Sequence, residues 1–159
     1  MAALFHFRGV TEEDEAFRYR LFTETAGAEF MAIVGDQRLL QMQYRGREMS
    51  YASQFPGAKE WLICLSDGKP VGRVLLDLQP GVMRLVDIGL LEVYRGQGIG
   101  KTIVQNLQQQ CQDRRSELVL QVAQTSHAKN LYWQMGFTEA GHDAVYAQMK
   151  WQPMQTVAR

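Results

Sequence analysis

The sequence predicts a mixed α/β fold (α+β, with helices and strands interspersed), and three observations carry this prediction. The 159 residues, 46% of them hydrophobic, suit one domain with a buried core over residues 1–159. Short apolar runs bounded by Gly and Pro predict strands, while longer segments with helical spacing predict helices. The resulting order β-α-α-β-β-β-α-β-α-β-β excludes a regular βαβ repeat and an all-helical bundle.

The first elements are a short strand and two helices. The strand is predicted from about Leu4 to Arg8. Thr11 and Asp14 have the spacing of a capping box, which starts a helix that ends near Thr25. A second helix is predicted from about Gln37 to Phe55, where a Pro-Gly pair ends it.

The period then changes to that of strands. Apolar runs at 61–65, 70–78 and 83–91 are separated by D-G-K-P and Q-P-G, which predicts an antiparallel meander. Helical spacing returns between Gly98 and Arg114, and a strand follows from Glu117 to Ala123.

The last third predicts one more helix and two strands. The helix spans about Ser126 to Met135, and Gly136 follows it as a C-cap. The segments F-T-E-A-G and A-V-Y-A-Q-M-K-W predict the final strands, and the second alternates Val145, Ala147 and Met149 with polar neighbours.

The composition limits which classes of partner and which cellular compartment we expect. Seventeen basic and seventeen acidic residues give a net charge of zero, which argues against nucleic acid and against acidic membrane surfaces. Apolar runs are too short for a membrane helix, and the N-terminus lacks the pattern of a signal peptide. Cys64 and Cys111 have no metal-ligand spacing, so we expect free thiols, no metal and a cytoplasmic protein.

The segment Y-R-G-Q-G-I-G-K, Tyr94 to Lys101, predicts an anion site between a strand and a helix. Glycines allow close approach of a ligand, and the first amides of a helix lack internal acceptors. With the helix dipole, these amides suit a phosphate, and Arg95 and Lys101 would add full charges. A P-loop is excluded because Arg95 stands where Gly is needed, and a dinucleotide fingerprint because Lys101 replaces its third Gly.

The loop resembles the acyl-CoA loop of the GNAT superfamily of N-acetyltransferases, (Q/R)-x-x-G-x-(G/A), with Arg95, Gly98 and Gly100 in place. The segment H-A-K-N-L-Y-W-Q-M-G-F, residues 127–137, resembles that family's A-x-x-L-Y-x-x-x-G-F block. The chain is therefore similar to a small bacterial member whose acceptor is unassigned. The resemblance implies a mostly antiparallel twisted sheet of about six or seven strands with about four helices, splayed between strands 4 and 5. Acceptor-side helices would span about 11–55, and the acetyl-CoA core about 60–151.

The resemblance implies transfer of an acetyl group from acetyl-CoA, the co-substrate, to a primary amine by direct attack in a ternary complex. Pantetheine would pair with the backbone of Ile88, Gly89 and Leu90, whose side chains suit the core in any case. The pyrophosphate would bind residues of the loop, namely Arg95, Gly96, Gln97, Gly98, Ile99, Gly100 and Lys101.

The resemblance assigns the general acid to Tyr132, since a phenol of pKa about 10 can protonate a thiolate whose thiol pKa is about 8.5. The spacing of Tyr132 also fits a core stripe. Gln121 stands where some relatives carry a Glu base, and Gln cannot act as one. Asp87 is our first candidate for the general base, and a charge on the solvent face of the sheet is the alternative.

Two departures from the family pattern concern cofactor binding. Thr125 replaces an Asn but can still donate a hydrogen bond, and Asn130 inside the helix could compensate, although a surface position is the alternative. Glu92 stands where many relatives have Pro, and it is a further base candidate with His127. Neither departure removes the phosphate site.

Two other functions stay open. The chain could bind acyl-CoA without turnover as a regulatory or partner-binding module, which the absence of an obvious base favours and Tyr132 opposes. An RNA-modifying enzyme is disfavoured by the neutral charge. The expected acceptor is a small-molecule or peptide amine, and a homodimer is a family-level expectation.

Overall fold

Over residues 5–155, the part that the computed structural model describes, seven strands and five α-helices form a mixed α/β fold with one sheet. The strands are β1 (Phe5–Gly9), β2 (Lys59–Leu65), β3 (Pro70–Gln79), β4 (Val82–Leu90), β5 (Glu117–Ala123), β6 (Thr138–His142) and β7 (Tyr146–Trp151). The helices are α1 (Glu15–Glu24), α2 (Ala28–Val34), α3 (Gln37–Gln54), α4 (Ile99–Arg114) and α5 (Ala128–Gln134). The strand order is β1-β2-β3-β4-β5-β7-β6.

The sheet is mostly antiparallel, as predicted, with one parallel pair. β1 with β2, β5 with β7 and β6 with β7 are antiparallel. β4 and β5 are parallel, and their register runs from Val82 opposite Glu117 to Leu85 opposite Leu120. A parallel pair needs a long crossover, which α4 provides. β4 continues past the last pair of this register to Leu90.

The chain divides into two compact units. The first comprises residues up to 75 together with 87–100, and the second comprises 76–86 together with residues from 101 onward. In the first unit Phe22, Leu40 and Tyr44 form a buried cluster against which half-buried side chains of α1 and α2 pack. The second unit buries side chains of α4, β5 and β7, including Leu107, Leu118 and Met149.

The capping box is confirmed. Asp14 accepts a hydrogen bond from the backbone N–H of Thr11 at 2.8 Å, and Thr11 caps the 3-10 turn that leads into α1. Asp14 also accepts two bonds from Arg8, and these bonds lower its pKa to about 2. Asp14 thus links the 3-10 turn before α1 to Arg8 of β1.

Two details differ from the predictions, and one prediction falls outside the described residues. The helix α2 was not predicted, because its seven residues are too few to show a period; it ends at Gly35, whose φ is +68°. Val145 is exposed and precedes β7, where the buried residues are Ala147 and Met149. Leu4, predicted to start β1, lies outside the described residues.

Candidate functional site

The glycine-rich loop connects β4 to α4 through a 3-10 turn, Glu92–Tyr94. Gly96 and Gly98 have φ of +73° and +83°, a conformation that other residues rarely adopt. Residues 95–98 are exposed, and Ile99 begins the 16-residue α4. The first amides of α4 have no acceptor within the helix, so the loop presents backbone donors that suit an anion.

Arg95 is held by backbone oxygens of the protein. Its Nε donates to the carbonyl of Leu90 at 3.0 Å, and its Nη2 donates to the carbonyl of Glu24 at the end of α1. The guanidinium therefore joins the loop to α1. The sequence predicted a charge for phosphate here and contained no sign of this second role.

Glu24 is a second link between α1 and the loop. Its carboxylate accepts a hydrogen bond from the backbone N–H of Glu92 at 2.8 Å and another from Arg20 at 3.0 Å. The amide of Glu92 and then the charge of Arg20 lower the pKa of Glu24. No local sequence pattern indicates this bond, because the partner amide of Glu24 is 68 positions away.

The end of β4 lies in close contact with its neighbours. Ile88, Gly89 and Leu90 are half-buried. A Cβ on Gly72 of β3 would lie 2.3 Å from the carbonyl oxygen of Gly89, so only glycine permits this approach of the two strands. On Gly89 a Cβ would meet the methyl group of Thr25 at 3.5 Å, which shows that the end of α1 packs over this strand.

A network of charged side chains joins α1, α3 and the strands of the first unit. Its centre is Arg73 on β3, which is 1% exposed. Arg73 donates to Asp87 at 2.9 Å, to Glu48 at 2.8 Å and to Glu60 at 3.2 Å. Arg18 of α1 donates to Glu60 at 2.9 Å. Arg47 of α3 lies 3.5 Å from Glu48, so three arginines face these three carboxylates, and this balance of charge allows the groups to be partly buried.

Electrostatics in the network follow from this pairing. Burial alone would raise the pKa of Glu48, but the hydrogen bonds and charge of Arg73 outweigh it and lower that pKa. Burial alone would lower the pKa of Arg73, and its carboxylate partners raise it instead. Arg73 and Glu48 are therefore both stabilised in their charged forms.

Asp87 lies in this network and not on an open face of the sheet. Its side chain is 22% exposed, and its Oδ2 accepts from Arg73 and lies 4.0 Å from Arg47. The ion pair with Arg73 is one reason for an acid inside an apolar strand. Arg73 was missed by sequence reasoning, although an arginine inside V-G-R-V-L-L was a visible signal that a buried carboxylate partner existed.

Tyr132 lies in the second unit, on α5, and is 8% exposed. Its ring is 5.3 Å from that of Phe137. Gly136, with φ +93°, ends the helix as predicted and lets the N–H of Phe137 donate to the carbonyl of Tyr132 at 3.0 Å. The glycine and phenylalanine of this sequence block thus fix the helix turn that carries Tyr132.

The remaining predicted residues of the second unit are exposed, namely Thr125, His127, Asn130, Lys101 and Gln121. Gln121 accepts a hydrogen bond from Gln148 at 2.7 Å. The structure brings together the end of β4, Asp87 and the loop glycines in the first unit. It places Tyr132, Thr125 and Asn130 in the second.

Within residues 5–155 no group of three His, Cys, Asp or Glu side chains could hold a metal ion. None of the helices in that range is long and apolar enough to cross a membrane. Both cysteines are buried free thiols.

Comparisons with known proteins agree with this geometry. The family model described as acetyltransferase (GNAT) domain matches residues 22–158. No curated protein matches the sequence. The structure is similar to PaiA N-acetyltransferase from Thermoplasma acidophilum in complex with coenzyme A, with 16% identity, 96% of this chain and 99% of that chain covered, and a TM-score of 0.70.

Two further solved structures have the same fold. One is a chimera of spermidine N-acetyltransferase SpeG from Vibrio cholerae and hSSAT, with 17% identity, 94% and 96% coverage of the two chains and a TM-score of 0.70. The other is a GNAT family acetyltransferase from Elizabethkingia anophelis with acetyl-CoA bound, with 12% identity, 94% and 98% coverage and a TM-score of 0.63.

Proposed function

The chain belongs to the GNAT acetyltransferase family, and on that premise we propose that it transfers an acetyl group from acetyl-CoA to a primary amine. The observation that carries the proposal is the loop after β4, where Gly96 and Gly98 take left-handed conformations just before α4 begins. Structures of the same fold hold coenzyme A or acetyl-CoA, which supports this co-substrate.

The proposed binding mode uses backbone groups. The pyrophosphate would accept hydrogen bonds from amides between Arg95 and Lys101, and pantetheine would pair with the backbone of Ile88 to Leu90. The register of β4 with β5 supports this mode, because these three residues lie past its last pair. Thr125 and Asn130 are exposed and are proposed to add polar contacts to the cofactor.

The proposed reaction is a direct attack in a ternary complex. The lone pair of the neutral amine attacks the thioester carbonyl carbon, the carbon–sulfur bond breaks, and the amine loses a proton. Tyr132 is the proposed acid that gives a proton to the departing thiolate, since a phenol is a suitable donor for this step. Its position behind the Gly136 turn and against Phe137 supports a fixed orientation of the ring.

Asp87 is the proposed base and would take the amine proton through water. Its contacts with Arg73 and Arg47 use Oδ2, which leaves Oδ1 for this task. Glu48→Gln is a matched control, because it removes another carboxylate of the same network. If Asp87 is the base, Asp87→Asn lowers kcat about a hundredfold while Glu48→Gln lowers it far less. Equal effects of the two variants would give Asp87 a purely structural role.

The bond between Asp87 and Arg73 also favours a second candidate function. If the carboxylate is fully occupied by the network and neither Glu92 nor His127 acts in its place, the chain lacks a base and binds acyl-CoA without turnover. In that case the protein would have no amine substrate, and the binding of acyl-CoA at the loop would serve regulation or partner binding. This module and the enzyme differ in a single measurable property, which is thiol release in the presence of an amine.

The proposal is tested by calorimetric binding of acetyl-CoA and by thiol release against a panel of polyamines, amino acids, aminoglycosides and peptides. Polyamines are included because one structure of this fold is a spermidine N-acetyltransferase. We expect Tyr132→Phe to lower kcat about a hundredfold while acetyl-CoA affinity persists. Tyr146→Phe, at an exposed tyrosine, serves as its control. Absence of acetyl-CoA binding by the wild type would refute the proposal.

A further inference from the structure

We infer that Glu24 is a positioning residue for the acetyl-CoA loop, acting from the end of α1 through the backbone of Glu92 and together with Arg95. These three residues are called the Glu24 clasp below. The inference rests on the proposed function, because it concerns the loop that would bind the pyrophosphate. It assigns to Glu24 a role that neither the family resemblance nor the loop motif contains.

The carboxylate of Glu24 caps the 3-10 turn that opens the loop. The first amides of such a turn have no partner inside it, and the N-cap residue Leu91 makes no side-chain hydrogen bond to them. Glu24 supplies the missing acceptor from another element, at 2.8 Å from the N–H of Glu92. The capped turn is where the chain changes direction between β4 and the glycines.

Arg95 closes the other end of the same turn. Its guanidinium donates to the carbonyl of Glu24 and, at 3.0 Å, to the carbonyl of Leu90. Leu90, Glu92 and Arg95 are therefore all held within one short stretch, two of them directly by Glu24. The glycines at 96 and 98 begin immediately after this fixed stretch, so the clasp sets the direction in which their amides start.

The end of α1 also contacts the strand that would pair with pantetheine. The methyl group of Thr25 and the side chain of Leu21 lie 3.5 Å and 3.9 Å from the Cβ position of Gly89. One helix end thus contacts both parts of the proposed acetyl-CoA site in the first unit. A loop that is held in shape before the ligand arrives does not have to be ordered on binding, and this lowers the dissociation constant.

Charge in the clasp is compensated, so a carboxylate near a pyrophosphate loop is tolerable. Arg20 donates to the carboxylate of Glu24 at 3.0 Å, and Arg95 donates to the backbone carbonyl of Glu24. Arg20 itself is 56% exposed, and exposed ion pairs contribute little to stability. Removal of Arg20 therefore disturbs the charge but leaves the bond from Glu92 to Glu24 in place.

The test uses Glu24→Ala, Glu24→Gln and Arg20→Ala in the full chain. Coenzyme A is titrated calorimetrically, the KM for acetyl-CoA and kcat are measured with the best amine, and hydrogen exchange is followed over residues 90–98. We expect Glu24→Ala to raise the Kd for coenzyme A and the KM for acetyl-CoA about five- to tenfold, with kcat within about twofold. Exchange over residues 90–98 accelerates in the same variant.

The two other variants separate positioning from general destabilisation. Glu24→Gln keeps an amide oxygen that can accept from Glu92, so its Kd stays within about twofold of the wild type. Arg20→Ala keeps the bond from Glu92 to Glu24, so its exchange over residues 90–98 stays that of the wild type and its Kd rises less than that of Glu24→Ala. Unchanged Kd and unchanged exchange in Glu24→Ala would overturn the inference while the proposed function stands. If the wild type binds no coenzyme A, both the proposed function and the role of the clasp in it are wrong.

Discussion

Replacing Arg73 by Met is expected to destabilise the fold strongly. The methionine has nearly the length of the arginine side chain but no charge and no donors. In the wild type Arg73 is 1% exposed and donates to three carboxylates, those of Glu48, Glu60 and Asp87. The variant leaves these carboxylates close together with Arg18 and Arg47 as the remaining cations of the network.

The magnitude follows from the burial of the network. Breaking a buried ion pair by removing one partner costs about 3–5 kcal/mol. The carboxylates are 13–22% exposed, so water relieves part of the repulsion and the lower end, about 3 kcal/mol, is expected. For a chain of this length 1 kcal/mol corresponds to about 2–4 °C, so the melting temperature should fall by about 6–12 °C.

The pH dependence of this loss has a definite sign. The pKa of Glu48 is lowered in the folded wild type, so its contribution is present above the ordinary pKa of a glutamate and is lost as pH falls. Acid also neutralises the unpaired carboxylates of the variant. The difference in melting temperature between wild type and Arg73→Met should therefore be largest near pH 7 and shrink below about pH 4.5.

The assay is urea and thermal unfolding followed by circular dichroism at pH 7 and pH 4. Arg45→Met, at an exposed arginine of α3, is the matched control and should change stability by less than about 0.5 kcal/mol. Adding Asp87→Asn to Arg73→Met should restore most of the loss, because Arg18 and Arg47 then face only two carboxylates, those of Glu48 and Glu60. A loss below about 1 kcal/mol that is equal at both pH values would refute the reasoning.

Three further predictions concern other sites. Gly72→Ala should lower the free energy of unfolding by about 2 kcal/mol and raise the KM for acetyl-CoA, because its Cβ would lie 2.3 Å from a backbone oxygen of β4. The control Gly46→Ala, in open space on α3, should raise the free energy of unfolding by about 0.5 kcal/mol. Equal stabilities of the two variants in urea unfolding would contradict this prediction. Cys111, whose pKa burial raises to about 11, should react with a thiol reagent only at the rate of unfolding, and rapid labelling of the native protein would be inconsistent with its position. Asp14→Asn should lower the melting temperature at pH 6, and this difference should disappear as pH falls towards 2, since the folded-state pKa of Asp14 is about 2; a difference independent of pH would point to packing instead.

Elements with a long period or a clear boundary signal were predictable from the sequence. β5 and α3 match their predicted ranges closely, because alternation and helical spacing extend over whole elements. The glycine loop was also predictable, since Gly96 and Gly98 take conformations that favour glycine. Gly136 was correctly predicted to end the helix that carries Tyr132, since its φ is +93°.

The connections between elements were not predictable in the same way. The bond from Glu92 to Glu24 joins residues 68 positions apart, and local patterns carry no information on such a pair. Asp87 is held by Arg73 from another strand and lies near Arg47 of α3. The sequence offered only two interpretations of Asp87, a general base or a surface charge, and neither included this ion pair. α2 lacked a visible period because it spans only seven residues.

The Arg73 network restricts how related sequences can diverge. Losing the arginine first leaves a chain with excess buried negative charge, whereas losing one carboxylate first leaves a cation that still has two partners. Neutral drift should therefore remove acids at 48, 60 or 87 before it removes the arginine at 73. Homologues with an apolar residue at 73 should carry a neutral residue at one or more of the three acidic positions. These four positions should covary as a group even though they lie on four different elements.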